Sequence, residues 1–412
     1  NRTTAASHII HDSTRGAGIS KNIYPDFTGY EGEYGNYGFV SSFDTGGFTV
    51  DASTNAYHAN RDGDDYVAWC LKANGGTTSS NTDGTVTSTV QANTQAGFSI
   101  IKYVGNGVIN QSIGHGLSAA PELYITKNLD TGGTGWFTKT TVVDGSLDEL
   151  ALNTTDAASN IGNTNLPTSS VIYQYNNTNL GANGQNYIVY AFHSVDSFSS
   201  FGTYTGNGST NGPIVETGFE PAFLMTKRTD TAGYNWYIWD NKRNLTNPRY
   251  LNLQADRSNA EFDYSAYPHD FLSNGFEVKT SNAAFNASGG TYLYMAFAAD
   301  PDTEAPTVAK SFSTVAYTGN GSARSIDGLG FKPNLVWIKS RSFGRNHYWY
   351  DSIRGANKQI LSNATDAEAT ISDRLTAFNT DSFSLGTSSE VNNNSETYVA
   401  WAWKADDNEP TI

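Results

Sequence analysis

The chain has 412 residues and a formal net charge of −15, with 25 Lys and Arg against 40 Asp and Glu. This balance argues against DNA or RNA as a partner, because phosphate binding requires a basic face, and against electrostatic docking to anionic lipid. Aromatic residues make up 13% of the chain, too many for a disordered protein, and Thr-, Val- and aromatic-rich segments between Gly and Asn turns favour strands over helices.

A segment of about 100 residues recurs along the chain. A full copy opens on Tyr-x-Gly-Asn-Gly and continues through an apolar strand ending in Lys and an aromatic strand leading to an acidic turn. It closes on a Tyr-led apolar strand. The closing strands are residues 66–70, 187–191, 292–296 and 398–402, led by Tyr66, Tyr187, Tyr292 and Tyr398.

The positions of the copies predict the domain boundaries. The first copy lacks its Gly-Asn-Gly and Lys strands and the chain starts at Asn1, so we expect a piece of a longer protein. The second and third copies have almost no linker between them and are expected to pack as one body. The predicted segments are a truncated repeat at 1–75, a Gly/Ser/Thr/Asn linker at 76–96, repeats at 97–196 and 197–301, an acidic, Pro-containing linker at 302–310, a repeat at 311–405 and the start of a further linker at 406–412.

The fold class predicted for each copy is all-β. Every copy contains several strand-like runs separated by turn residues, which is typical of antiparallel β-sandwiches. The closing strands are apolar at nearly every position, which favours a central strand buried on both faces. We therefore predict tandem antiparallel β-sandwiches of the jelly-roll or lectin-like type, with no long helix.

Aromatic residues provide the candidate binding site. Exposed aromatic rings stack on sugar faces, whereas aromatic residues that recur in register with a repeat more often fill its core. Most of the eight Trp residues are therefore expected to be buried. In the last copy Trp403 and Tyr348 alternate with inward-facing residues and are expected to be exposed, so that with Trp349 they are the candidates for glycan binding.

Two recurring motifs are interpreted as structural. An Asp-x-x-Arg pair occurs as Asp12/Arg15, Asp240/Arg243 and Asp351/Arg354, with Asp144 and Leu147 assigned to the same positions of the second copy. A pair that is lost in one copy is typical of a turn-stabilising bridge rather than of a catalytic group. The Gly-Asn-Gly tripeptides lack the context of phosphate-binding loops and are predicted to form hairpin turns.

Acidic residues near the predicted linkers indicate a calcium site, since Ca²⁺ prefers carboxylate and carbonyl oxygens. The candidate ligands are Asp300, Asp302, Asp406 and Asp407, with a further acidic group at Asp62, Asp64 and Asp65. No other cofactor is expected. The single cysteine, Cys70, excludes an intrachain disulfide and is expected to be buried, as free cysteines usually are.

The second and third copies, about residues 97–301, resemble a domain of unannotated function that is common in structural proteins of marine phages. The most similar segments are 201–213, 217–224, 270–276 and 292–298. The resemblance covers about half of the chain, with the outer copies as diverged versions. It implies a virion or tail-appendage protein with a lectin-like sandwich, and it transfers no functional residues.

Two classes of function remain open. The first is a non-enzymatic structural or adhesive protein of a phage virion, such as a tail fibre, appendage or surface fibre, that binds other virion proteins, copies of itself or a host glycan. The second is a secreted or surface bacterial adhesin, or a carbohydrate-binding array, with calcium-rigidified linkers. Both place the chain on a virion or outside the cell, and neither involves nucleic acid, membrane insertion or catalysis.

Overall fold

β-Strands dominate the regular structure, as the sequence predicts. The computed structural model describes residues 1–34, 36–52, 59–162, 165–175, 178–299 and 312–404, and the chain divides into an N-terminal unit, Asn1–Pro301, and a C-terminal unit, Asp302–Ile412. None of the helices in these residues has the length and apolar character needed to cross a membrane.

The first repeat contributes a hairpin and irregular segments to the N-terminal unit. A 3₁₀ turn at Ile19–Lys21 precedes β1 (Phe39–Asp44) and β2 (Gly47–Asp51), and an isolated bridge joins Ile10 to Ile23. The predicted closing strand at 66–70 is not a strand in the structure. Cys70 in this segment is exposed, so the prediction of burial is wrong, because the segment is not covered on both faces.

The second and third repeats are sandwiches of a large and a small antiparallel sheet. The strands of the second repeat are β3 (Ser79–Asn81), β4 (Ser88–Asn93), β5 (Phe98–Val104), β6 (Gln111–Gly114), β7 (Leu123–Asn128), β8 (Trp136–Thr140), β9 (Asp148–Ala151), β10 (Ser159–Asn160), β11 (Val171–Gln174) and β12 (Asn186–Phe192). Those of the third are β13 (Ser199–Thr205), β14 (Ile214–Glu216), β15 (Phe223–Arg228), β16 (Tyr237–Asp240), β17 (Leu251–Gln254), β18 (Phe262–Asp263), β19 (His269–Leu272), β20 (Gly275–Val278) and β21 (Thr291–Phe297), with a short helix at Ala283–Asn286.

The fourth repeat forms the described part of the C-terminal unit and has the topology of the third. Its elements are β22 (Phe312–Thr318), β23 (Arg324–Asp327), β24 (Leu335–Ser340), β25 (His347–Asp351), β26 (Lys358–Leu361), β27 (Ala369–Thr370), β28 (Leu375–Asn379), β29 (Ser382–Leu385), a short helix at Ser389–Asn392 and β30 (Thr397–Trp403). The large sheets run β13-β21-β15-β16-β17-β18 and β22-β30-β24-β25-β26-β27, and the small sheets run β14-β20-β19 and β23-β29-β28.

The second repeat keeps this order and extends it. Its large sheet runs β10-β9-β8-β7-β12-β5-β4-β3, so that β4 pairs with β5 along its full length. The prediction of a flexible linker at 76–96 is therefore wrong for β3 and β4. The polar composition of this segment suggested a linker, but Val86 and Val90 alternate with polar residues and lie in the core beneath the sheet.

The Gly-Asn-Gly tripeptides connect the two sheets of a sandwich and do not form hairpins. In the second repeat the tripeptide follows β5 of the large sheet and precedes β6 of the small one. The first residue of each tripeptide must be glycine, because the main chain of another segment lies where a Cβ atom would stand. A Cβ atom added at Gly105, Gly206 or Gly319 would stand 2.3, 2.2 or 2.1 Å from a main-chain carbonyl oxygen.

The Asp-x-x-Arg bridges form as predicted. The guanidinium Nε donates to the carboxylate at 2.5 Å for Asp12/Arg15 and at 2.6 Å for Asp240/Arg243 and Asp351/Arg354. The strand register corrects the assignment in the second repeat. Thr140 pairs with Leu123 as Asp351 pairs with Leu335, so the aspartate position of the second repeat is held by Thr140 rather than Asp144.

The three repeats of the N-terminal unit contact one another head to tail through equivalent atoms. The residue four positions before the recurring aspartate, or before Thr140 in the second repeat, places its ring against the main chain of another repeat. The second repeat contacts the first in this way, the third contacts the second, and the first contacts the third. Trp136 Nε1 donates to the Tyr24 carbonyl (2.8 Å), Trp236 Nε1 donates to the Ala151 carbonyl (3.1 Å), and the His8 imidazole interacts with the main chain of Gln254.

The apolar faces of the large sheets of the second and third repeats meet inside this ring, together with apolar residues of the first repeat. One cluster joins Ile23 of the first repeat to residues of the second and third, and Phe192 and Phe297, which end the closing strands of the second and third repeats, contact each other with ring centroids 6.0 Å apart. Equivalent residues such as Phe192 and Phe297 contact each other when repeats are related by rotation about an axis that passes between them. The N-terminal unit is thus a ring of three repeats closed by heterologous contacts about a pseudo-threefold axis.

Candidate functional site

The outer face of the large sheet in the fourth repeat is the candidate site. Successive side chains of a strand point to opposite faces, and in β30 Tyr398, Ala400 and Ala402 are buried in the sandwich core. The intervening residues, Trp401 and Trp403 among them, are only half-buried. The closing strand is therefore central in its sheet, as predicted, but covered on one face only.

Tryptophans from three neighbouring strands lie side by side on this face. The register places Trp337 of β24 between Trp401 of β30 and Trp349 of β25, and Trp349 lies opposite Ile360 of β26. The ring centroids of Trp337 lie 4.7 Å from those of Trp401 and 5.0 Å from those of Trp349. We call this surface the aromatic face; it consists of Phe312, Leu335, Trp337, His347, Trp349, Ile360, Val399, Trp401 and Trp403.

Two ring nitrogens give the aromatic face a polar character. The indole N–H of Trp337 donates to Nδ1 of His347 at 3.0 Å. This bond requires an unprotonated Nδ1, so the proton of the neutral ring is on Nε2. Burial lowers the pKa of His347 and so favours that neutral ring. The indole N–H of Trp349 is buried and has no hydrogen-bond partner, which is costly unless another molecule supplies an acceptor.

The structure brings together two of the three predicted glycan-binding residues. Trp349 and Trp403 both lie on the aromatic face. The prediction that Tyr348 is exposed is wrong: its side chain is 1% exposed, its hydroxyl donates to Glu390, and the Arg374 guanidinium lies 4.8 Å from its ring. Tyr348 precedes Trp349 on one strand, and adjacent residues of a strand cannot share a face.

Sequence reasoning did not select Trp337 and Trp401 for this site, although both belong to the same repeat. The two-residue spacing of Trp401 and Trp403 could have placed them on one face. The position of Trp337 between Trp401 and Trp349 depends on strand pairing, which spacing alone does not reveal.

The predicted calcium ligands Asp300, Asp302, Asp406 and Asp407 lie outside the described residues. Of the further acidic group, Asp64 accepts hydrogen bonds from the Asn1 side chain at 2.7 Å and from Thr4 at 2.9 Å. Within the described ranges, no three or more His, Cys, Asp or Glu side chains are grouped so as to hold a metal ion.

Lys139 has the lowered pKa of a reactive amine, but its side chain is not accessible from the solvent. Burial lowers its pKa to about 7, and its Nζ donates to Gln174 at 2.8 Å while lying 3.9 Å from a Glu149 carboxylate oxygen. The rings of Tyr124 and Tyr175 lie 5.5 and 4.9 Å from the same atom. Because Lys139 is completely buried in the second sandwich, this cluster satisfies the buried lysine, and its amine is not exposed to a substrate.

One protein family matches the chain. A family model described as a domain of unknown function (DUF7483) covers residues 1–301 and, separately, residues 307–411. The first match spans the ring of three repeats, and the second spans the repeat that carries the aromatic face. Neither a curated protein nor a solved structure matches the chain.

Proposed function

The chain belongs to the DUF7483 family, and we propose that it is a non-enzymatic structural and adhesive protein of a phage virion, in a tail fibre, an appendage or a surface fibre. The resemblance of its second and third repeats to structural proteins of marine phages supports the virion location. The tandem sandwiches support a structural role, since such arrays are built from units that mainly contact their neighbours.

The ring of repeats is the observation on which the proposal depends. Its polar side chains bind other repeats: the Tyr190 hydroxyl donates to Asp12 at 2.7 Å and the Trp69 indole donates to Asp240 at 3.0 Å. These aspartates are the groups that also bind arginine within their own turns, so the recurring charged motif is used for assembly of the unit. Thr140 replaces the aspartate in the second repeat, a loss that an assembly contact tolerates and a shared catalytic group would not.

Localisation on particles tests the proposal. Antibodies against the chain are expected to label purified particles of the phage that encodes it, at a fixed position on the tail or the surface. Labelling confined to bacterial cell surfaces would contradict the virion assignment and favour an adhesin. Cleavage of a polysaccharide by the purified chain would contradict the non-enzymatic assignment.

The adhesin alternative makes a separate prediction, because it relies on calcium to rigidify the linkers. Sedimentation velocity of the full chain before and after chelation with EDTA measures this directly. The structural proposal predicts an unchanged sedimentation coefficient. A marked change, reversed by added Ca²⁺, would favour the adhesin.

A second candidate function is the binding of a host glycan by the aromatic face. The half-buried rings of Trp337 and Trp349 favour it, because sugar faces stack on exposed aromatic rings. On a glycan array the wild-type chain is then expected to bind a defined set of sugars, and Trp349→Ala is expected to abolish binding. Phe343→Ala is the matched control, because Phe343 is 59% exposed but lies outside the aromatic face.

A further inference from the structure

The aromatic face corresponds, position by position, to the sheet faces that are buried between repeats in the N-terminal unit. The closing strands fix the correspondence, since each carries the recurring tyrosine as its second residue and holds the same place in its sheet. The equivalent sets are Ile188, Tyr190 and Phe192 in the second repeat, Leu293, Met295 and Phe297 in the third, and Val399, Trp401 and Trp403 in the fourth. In the second and third repeats these residues belong to the shared core.

Burial separates the fourth repeat from the other three. The residue that pairs with the centre of the aromatic strand is Ile23 in the first repeat, Leu150 in the second, Leu253 in the third and Ile360 in the fourth. Its exposure is 1%, 2% and 1% in the first three and 40% in the fourth. A position that is covered by a neighbouring repeat three times is thus open in the C-terminal unit.

The recurring aspartate shows the same contrast. The side chains of Asp12 and Asp240 are 3% and 2% exposed, because Tyr190 and Trp69 of neighbouring repeats donate to them. The side chain of Asp351 forms the same bridge to its own arginine but is 24% exposed. The fourth repeat carries Trp401, an N–H donor, at the position of Tyr190 and Trp69.

The fourth repeat also has the residues for the remaining contact of the ring, in which an aromatic ring contacts the main chain of another repeat. His347 stands at the position of Trp136 and Trp236, which donate a ring N–H to the main chain of another repeat, and of His8, which interacts with the main chain of Gln254 in the third repeat. The bond from Trp337 to Nδ1 leaves Nε2 of His347 as the donor. The equivalent acceptor in the fourth repeat is the carbonyl of Leu361, which follows Ile360 as Tyr24 follows Ile23.

We propose that three copies of this chain associate through their C-terminal units and reproduce, between chains, the ring that the first three repeats form within one chain. In this trimer the Trp401 indole of each copy donates to Asp351 of the next, and His347 Nε2 donates to the next copy's Leu361 carbonyl. The three Trp403 side chains meet at the axis, as Phe192 and Phe297 do in the N-terminal ring. This association rests on the repeat geometry and holds whether or not the chain is a virion protein.

A copy of the same unit fits the aromatic face better than a sugar does. Head-to-tail contacts form a closed ring whose number of subunits is set by the rotation from one subunit to the next. In the N-terminal unit the repeats of this fold form such a ring with three members. Both members of each polar pair, Trp401 with Asp351 and His347 with the Leu361 carbonyl, are present on every copy. Large aromatic residues replace Met225, Ile238 and Met295, which are sufficient in the N-terminal ring where the repeats are tethered by the chain.

Sedimentation equilibrium of the full chain tests the proposal. The wild-type chain is expected to sediment at three times its mass of 44.5 kDa. Trp403→Asp brings three carboxylates together at the axis and is expected to weaken association by about 100-fold or more, leaving a chain of single mass. The matched control, Phe343→Asp, introduces the same charge at a residue 59% exposed in the same unit and is expected to remain trimeric.

His347→Ala keeps the tryptophan rings of the aromatic face but removes the bond to the next copy and the bond from Trp337. It is expected to weaken the trimer less than Trp403→Asp, and it serves if the latter fails to fold by circular dichroism. A wild-type chain of single or double mass at tens of micromolar would overturn the proposal. So would a trimer that survives both Trp403→Asp and His347→Ala, since it would form elsewhere. A monomer whose aromatic face binds a sugar would overturn it in favour of the glycan candidate.

Discussion

The hydroxyl of Tyr190 donates to Asp12 across 178 residues of sequence, at 2.7 Å, and the indole of Trp69 makes the equivalent bond to Asp240 at 3.0 Å. Each aspartate already binds the arginine three residues later. The motif therefore serves two levels of structure, a turn within one repeat and a contact between repeats. Trp401 and Asp351 repeat the pair in the C-terminal unit, where we propose that it joins separate chains.

Replacing Tyr190 by Phe tests the contact in the N-terminal unit. The change removes one hydrogen bond to a buried carboxylate, so we expect the free energy of unfolding to fall by about 1.5–3 kcal/mol. Urea denaturation measures the loss. Tyr30→Phe is the control, because the Tyr30 side chain is 44% exposed, and it is expected to change stability by less than about 0.5 kcal/mol. Equal effects of the two changes would contradict the role of Tyr190.

Truncation at equivalent positions tests the difference in burial between units. Leu253 is 1% exposed in the core of the ring, so Leu253→Ala is expected to cost about 2–5 kcal/mol of unfolding free energy. Ile360→Ala removes a 40% exposed side chain and is expected to cost less than half as much in the dilute, monomeric chain. Calorimetry of the two unfolding transitions measures both. A larger loss at Ile360 than at Leu253 would show that the two positions are not covered as described.

The close approach at the Gly-Asn-Gly connection predicts a steric effect in the C-terminal unit. A Cβ atom at Gly319 would stand 2.1 Å from the Asn393 carbonyl oxygen, whereas one at Gly344 would meet no atom within 4 Å. Gly319→Ala is therefore expected to lower the thermal midpoint of this unit by several degrees, since the main chain must move. Gly344→Ala is expected to leave the midpoint unchanged or to raise it by up to a few degrees. A tolerated Gly319→Ala would refute the close contact.

Buried histidines predict a loss of stability in acid for the N-terminal unit. Burial lowers the pKa of His269 from its ordinary value of 6.5 to about 3, so the folded state binds a proton less tightly than the unfolded state. The stability that the neutral ring provides is complete above pH 6.5 and is lost as the pH falls toward 3. His269→Phe is expected to reduce the difference in unfolding free energy between pH 7 and pH 4 by up to about 3 kcal/mol.

His8 and His11, whose pKa values burial lowers to about 4, keep part of that pH dependence in the variant. Denaturation curves at the two pH values, for the wild type and for His269→Phe, give the comparison. An unchanged difference would mean that His269 accepts a proton in the folded state, in contradiction to its burial.

The sequence predicted the features that are local in the chain and repeated in it. The closing strands of the last three repeats, such as Tyr398 to Trp403, are central in their sheets, and the Asp-x-x-Arg bridges form. Tyr348 was assigned to the wrong face because the composition of one strand does not state which of two alternating sets is inward. The strands β3 and β4 were missed because Ser, Thr and Asn dominate them, and only pairing with β5 makes them part of the sheet.

The ring could not be predicted from the repeat itself, because it depends on which sheet faces meet in three dimensions. Phe192, Phe297 and Trp403 are equivalent in sequence, yet two are buried against each other and the third is half-buried. Apolar residues on both faces of a closing strand indicate that both faces are buried. They do not indicate whether the second face packs against the same repeat, the next repeat or another chain.

An electron cryomicroscopy reconstruction of the full wild-type chain is the most direct test of assembly through the aromatic face. We expect three C-terminal units around one threefold axis, with the Trp403 side chains at the axis and the Trp401 indole of each copy within hydrogen-bond distance of Asp351 of the next. Particles with a single C-terminal unit, or a trimer whose aromatic faces point to solvent, would contradict the account.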